Sequence, residues 1–222
     1  MRDSTASGSR DGCWRGRGDP TPYTPGIPAE IPRVRSLDRL FAAMACCTRC
    51  ELALGRTQVV AGVGAPNARL MLIGEAPGAR EDREGKPFVG AAGRLLDRLL
   101  ARNGIPRDQT FITNIVACRP PANRTPRPGE IRAHAGWIEA QVRLVCPEII
   151  ATLGRIALTF FIPGARVTAL RGTPQEVEFA GRRIPILPLL HPAAALRRRE
   201  LVAWLEEDFA RLARLLDARR TM

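Results

Sequence analysis

The chain has 222 residues, of which 45% are hydrophobic and 25% charged, enough for one globular domain of ordinary size with a tail. Its longest apolar stretch, residues 149–165, is broken by Arg155, Pro163 and Gly164, short of the roughly 18 to 20 uncharged residues of a membrane span; residues 1–6 hold no apolar run of a secretory signal. The net charge of +12 rests almost wholly on arginine, with Lys86 the sole lysine. A coding bias toward Arg accounts for that, and so does a phosphate-binding surface, because guanidinium forks match phosphate oxygens; four arginines against the single acid Glu130 between Arg119 and Arg132 favour nucleic acid. These features imply a cytoplasmic protein with no membrane partner, a compartment where clustered cysteines indicate metal or catalysis before disulfides.

Residues 1–34 are rich in Gly, Ser, Pro, Thr and Arg and lack hydrophobic periodicity, so they read as a disordered tail preceding a folded domain at 35–222. Leu37, Leu40, Phe41 and Met44 share a helical face that leads into Cys47 and Cys50. Strand-like runs at 69–73, 110–116, 149–153 and 183–189 then alternate with helical patterns at 93–103, 128–145, 155–161 and 200–216. That alternation predicts an α/β fold, a three-layer sandwich around a central, mostly parallel four-stranded sheet. Sites in such sheets gather beyond the carboxyl ends of the strands, which selects the loops after Ile73, Ile115 and Leu189.

The first of these, residues 74–90, combines glycines that permit close backbone approach with the acids Glu75 and Glu81 and the aromatic Phe88. The second contains Asn114, whose side-chain amide offers a donor and an acceptor together, as reading a base edge requires. The third contains His191, one of two histidines in the chain and a candidate acid, base or anion stabiliser. Each also has an ordinary structural role open to it: a core phenylalanine, a turn-capping asparagine, a packed histidine.

Together Gly74-Glu75-Ala76-Pro77-Gly78, Glu81-Asp82, Gly85-Lys86-Pro87-Phe88-Val89-Gly90 with Gly93, Asn114 ahead of Cys118-Arg119-Pro120-Pro121, and His191-Pro192-Ala193 resemble the family 4 uracil-DNA glycosylases, which carry a 4Fe-4S cluster. The resemblance runs from about Leu37 to Leu216. It implies a monomeric DNA-repair enzyme that flips uracil out of uracil-containing DNA and hydrolyses its N-glycosidic bond, leaving an abasic site. Phe88 is then expected to stack on the base, Asn114 to bond its Watson-Crick edge, and His191 to stabilise the leaving anion, a division of labour that base extraction demands. Glu75 and Ala76 count as further substrate-binding positions. Related families place an aspartate near Ala76, which cannot activate water, so either backbone groups and Glu75 or Glu81 position the nucleophile or the reaction runs mostly by departure of a stabilised uracil anion with little help to water; Glu81 is favoured as loop organiser and water holder. A DNA-binding protein of the same fold without turnover is the alternative.

The same resemblance assigns Cys47, Cys50 and Cys118 as cluster ligands and leaves His134 where the family carries its fourth cysteine. Cys146 lies twelve residues farther on, roughly 18 Å along a helix, out of reach of the same iron. Three arrangements are open: a cluster on three cysteines and His134, which imidazole ligation of iron permits; a cluster with one iron ligated from outside; and a degenerate site. The first is favoured.

Overall fold

The computed structural model describes Ile31 and residues 34–219; the rest of the expected tail lies outside the described residues. Ile31 and Val34 pack, partly buried, against Leu40, Met44 and Trp137. The first helix, α1 (Leu37–Ala45), starts where Ser36 Oγ accepts from Arg39 N, and buries Leu40 and Met44. The one-turn helix α2 (Leu52–Gly55) follows the cysteine pair. Next come β1 (Leu70–Gly74), α3 (Ala79–Glu84), α4 (Ala91–Arg102) and β2 (Thr110–Asn114).

Helix α5 (Pro128–Val145) carries Pro at its first position, where no amide is needed, and Glu130 Oε2 accepts from Arg127 N at 2.7 Å. The chain continues through β3 (Ile149–Leu153), α6 (Arg155–Phe161), α7 (Val167–Leu170), β4 (Gln175–Phe179), β5 (Arg182–Leu189), α8 (Pro192–Arg197) and α9 (Leu201–Ala218).

The sheet runs β2-β1-β3-β5-β4, parallel except for the β4–β5 pair. It has five strands where the sequence pattern predicts four. The extra one, β4, alternates half-buried and exposed residues and carries Glu176 and Glu178, so it lacks the continuous apolar run of a strand covered on both faces. It is an edge strand joined to β5 through Ala180 and Gly181, both at positive φ, as a tight hairpin requires.

Alternate residues of the central strands feed two cores. Leu70, Leu72, Ile112, Ala151, Leu153 and Leu187 pack with α4, α8 and α9; Met71, Ile73, Phe111, Ile150 and Ile186 pack with α5 and α6. Each fully buried side chain of this kind contributes about 1.5 to 3 kcal/mol. Helix α1 packs on α5 around Trp137, which completes the layer on the second side. Among the described residues no helix is long and apolar enough to cross a membrane.

Among the buried ionisable groups, one belongs to α9. Asp208 on α9 is fully buried and pairs with Arg171 at 2.7 Å, whose guanidinium also lies 4.6 Å from the centre of the Trp204 ring. Burial pushes the Asp208 carboxyl up from 3.8 to about 6, against the pull of Arg171 and Arg211, and its Oδ2 has no hydrogen-bond partner. With its folded pKa raised, the native state keeps a proton that the unfolded chain has released between pH 4 and 6, so this group costs stability as pH rises through that window. Asp208→Asn removes the titration: in urea unfolding the variant is expected to gain on wild type steadily from pH 4 to 7, and a gap independent of pH would refute the assignment.

Candidate active site

The parallel register sets the site. Gly74 pairs with Asn114 at the carboxyl ends of β1 and β2, and Leu153 with Leu189 at those of β3 and β5, so the loops carrying Glu75, Asn114 and His191 leave the same edge of the sheet. Pairing continues past the strands through Ile115 N to Gly74 O and Val116 N to Glu75 O. A separate hollow of about 560 Å³, bordered by Arg69, Gln109 and Asp217, lies at the opposite ends of β1 and β2 and holds none of these groups.

Gly74 is the crossing point. A Cβ there would stand 2.4 Å from Asn114 Oδ1 and 2.7 Å from Phe88 Cζ, contacts that real Cβ atoms do not make, so only glycine lets the amide and the ring come together. Asn114 is 3% exposed, and its amide has no protein partner among the described residues, which leaves its donor and acceptor open to a ligand or solvent. Phe88 is buried at φ 53, a left-handed conformation that costs a bulky residue about 1 to 2 kcal/mol. Its carbonyl fills the space where a Cβ of Gly93 would lie, 1.8 Å away.

His191 ends the strand as the N-cap of α8, where Nδ1 accepts from Ala193 N at 3.1 Å. That bond fixes the neutral tautomer with its proton on Nε2. Burial lowers the imidazole pKa to about 4, although the Glu81 carboxylate pulls the other way, so the ring is neutral at physiological pH. It stacks against Phe88 with ring centres 5.7 Å apart.

Residues 79–84, expected as loop, form α3: Glu81 accepts through Oε1 from Val89 N at 3.1 Å and Gly90 N at 2.9 Å, and Asp82 accepts from Thr57 N and Thr57 Oγ1. Glu75 is partly buried, which raises its pKa against the charge of Arg155 and a hydrogen bond from Thr125; Ala76 packs, partly buried, on the second core. Phe88, Asn114 and His191 therefore lie together at the sheet edge, with Glu81 near enough for its charge to act on His191 and Glu75 and Ala76 on the loop beside them. Gly74, Gly93 and Gly154 make room for them. The glycine-rich motif of the sequence marks the first two but gives no signal for Gly154, whose Cβ would press to 3.0 Å from that of His191.

Cys47, Cys50, Cys118 and His134 form a second group. Cys50, Cys118 and His134 are buried and Cys47 partly so. The three sulfurs feel one another's charge, and burial pushes Cys118 up to about 11 even though Arg56 Nη1 donates to its Sγ at 3.3 Å. On α5, His134 Nδ1 lies 2.8 Å from Glu130 O and so carries the proton, which leaves the Nε2 lone pair for a ligand bond; burial lowers its pKa to about 4. Arg49 Nε and Nη1 are buried without partners, and its guanidinium sits 5.8 Å from the Trp137 ring centre. Among the described residues no three donors converge on a point that would hold a single metal ion. Three thiols, a neutral imidazole and orphaned guanidinium donors are chemically suited to an anionic group. Cys146 is exposed at the far end of α5 in a left-handed cap, away from this group.

An α/β sheet thus brings an aromatic ring, an unpartnered carboxamide and a neutral imidazole together at its carboxyl edge. Residues 61–214 match the Uracil DNA glycosylase superfamily. The type-4 uracil-DNA glycosylase of Sulfurisphaera tokodaii is 41% identical over 186 residues, covering 81% of this chain and 84% of that one. That of Thermotoga maritima is 44% identical over 155 residues, 69% and 79% of the two chains. A type-5 enzyme from Thermus thermophilus is 42% identical but over 115 residues, 45% of this chain and 52% of its own. The chain belongs to the uracil-DNA glycosylase superfamily and, within it, to the type-4 family.

Gly74→Ala is expected to expel Phe88 or Asn114 and to lower excision of uracil by about 100-fold or more, with the far-ultraviolet circular dichroism of the sheet retained. Activity within a factor of two would show that the two side chains do not need this approach.

Proposed function

We propose that the protein hydrolyses the bond between uracil and deoxyribose in DNA and leaves an abasic site. The observation that carries this reading is the buried, unpartnered amide of Asn114 beside Phe88 and His191. An extruded base stacks on Phe88, and Asn114 pairs with its Watson-Crick edge; cytosine presents the opposite donor and acceptor there and leaves the amide mispaired in a dry pocket. As the N-glycosidic bond breaks, its electron pair stays on the base. His191 Nε2–H, aimed by the Ala193 amide, donates to the negative charge that develops on the uracil oxygen. Because the ring is neutral before the reaction, it acts as a hydrogen-bond donor and transfers no proton. Water held by one Glu81 oxygen adds to the sugar carbon, and the proton it releases passes to solvent and neutralises the departed uracil anion; Oε1 organises the loop. The surface arginines follow the phosphates.

Cys47, Cys50, Cys118 and His134 are the residues that would hold a 4Fe-4S cluster. When bound, such a cluster supplies a one-electron couple and a rigid link between the end of α1, the loop after β2 and α5.

Incubation with uracil-containing and matched cytosine-containing oligonucleotides tests the reaction: wild type is expected to yield abasic sites from the first alone. His191→Ala and Asn114→Ala are expected to reduce kcat/KM by roughly 100-fold or more, and Glu81→Gln by about tenfold. No abasic product from wild type, with uracil-DNA bound, would favour a damage-sensing protein; full turnover in Glu81→Gln would remove Glu81 from the water.

Iron analysis after anaerobic purification tests the cluster separately. Wild type is expected to hold about four irons per chain, His134→Ala to lose them and His134→Cys to keep them. Iron near zero in active wild type would overturn the cluster.

A further inference from the structure

Phe88 is held in a conformation that its own sequence disfavours, and two opposite charges hold it there. Glu81 takes the amides of Val89 and Gly90, and Arg107 Nη2 donates to the carbonyls of Pro87 and Phe88, each at 3.2 Å. The four-residue segment is thus gripped by a carboxylate on one side and a guanidinium on the other. Arg107 Nη1 is ion-paired with Asp97 on α4, the helix whose Gly93 makes room for the Phe88 carbonyl. Arg107 itself sits on the short turn that opens β2, the strand that ends in Asn114. One side chain therefore ties the stacking ring to the scaffold of the base-reading strand. A lysine has the charge but not the planar fork that serves Asp97 and two carbonyls at once.

We propose that Arg107, anchored by Asp97, is a positioning residue that fixes the Phe88 ring and thereby sets the affinity of the pocket for uracil. The inference rests on the reading of Phe88 as the stacking surface. Its signature is selective: binding that uses the base weakens, and binding that uses only the DNA backbone does not.

The test measures competitive inhibition by free uracil, affinity for an oligonucleotide with an abasic site, and steady-state kinetics, in Arg107→Lys, Asp97→Asn and Phe88→Leu. Arg107→Lys is expected to raise the uracil inhibition constant and KM roughly tenfold, with abasic-DNA affinity and the thermal midpoint near wild type. Asp97→Asn, which leaves the carbonyl contacts but loosens their anchor, is expected to shift both in the same direction by less. An unchanged uracil constant in Arg107→Lys overturns the proposal, and so does a parallel loss of uracil and abasic-DNA affinity, which marks a merely structural role. If Phe88→Leu itself leaves uracil inhibition untouched, the stacking reading fails on its own evidence.

Discussion

A Cβ atom at position 74 would lie within 3 Å of both the Asn114 amide and the Phe88 ring, so the pocket exists because β1 ends in a residue without a side chain. Everything around that absence is arranged to exploit it. The parallel register sets Gly74 beside Asn114, Gly93 admits the Phe88 carbonyl, and Gly154 admits His191. Three backbone approaches, each on a different loop, let three functional side chains meet over one sheet edge. The scaffold beneath supplies rigidity, with both faces of β1, β2 and β3 buried.

Much of this was legible in the sequence because parallel sheets write themselves plainly: apolar runs of five residues between amphipathic helices, with polar loops at predictable ends. The long motif from Gly74 to Gly93 and the isolated His191 located the pocket, and Phe88, Asn114 and His191 do converge. What escaped has physical reasons. β4 is a half-exposed edge strand, whose alternating glutamates look like loop. α3 is too short to show a helical period. Arg107 lies 19 residues from Phe88 in sequence and meets it only through the fold, so no local pattern could connect them.

The cysteine group illustrates a different dependence. Its neighbours are cationic: Arg56 reaches Cys118, and Arg49 keeps two buried donors without partners beside Trp137. Buried guanidinium groups are costly unless an anion meets them, and His134 in place of a thiolate makes any cluster there less negative by one charge. Thr57 then joins this region to Asp82 on α3, the helix that precedes the segment carrying Phe88. The cysteine group and the segment that carries Phe88 are thus adjoining parts of one polar network.

The bond from Ala193 to His191 Nδ1 gives the imidazole a fixed polarity. Its lone pair faces the helix and its hydrogen lies on the other ring nitrogen, so the ring is an oriented dipole. In the proposed reaction such a group has no state to reset between turnovers: it neither waits for a proton from solvent nor returns one. The fold has moved the titration of this histidine well below neutral pH, and the proposed role uses the ring's direction in place of its charge.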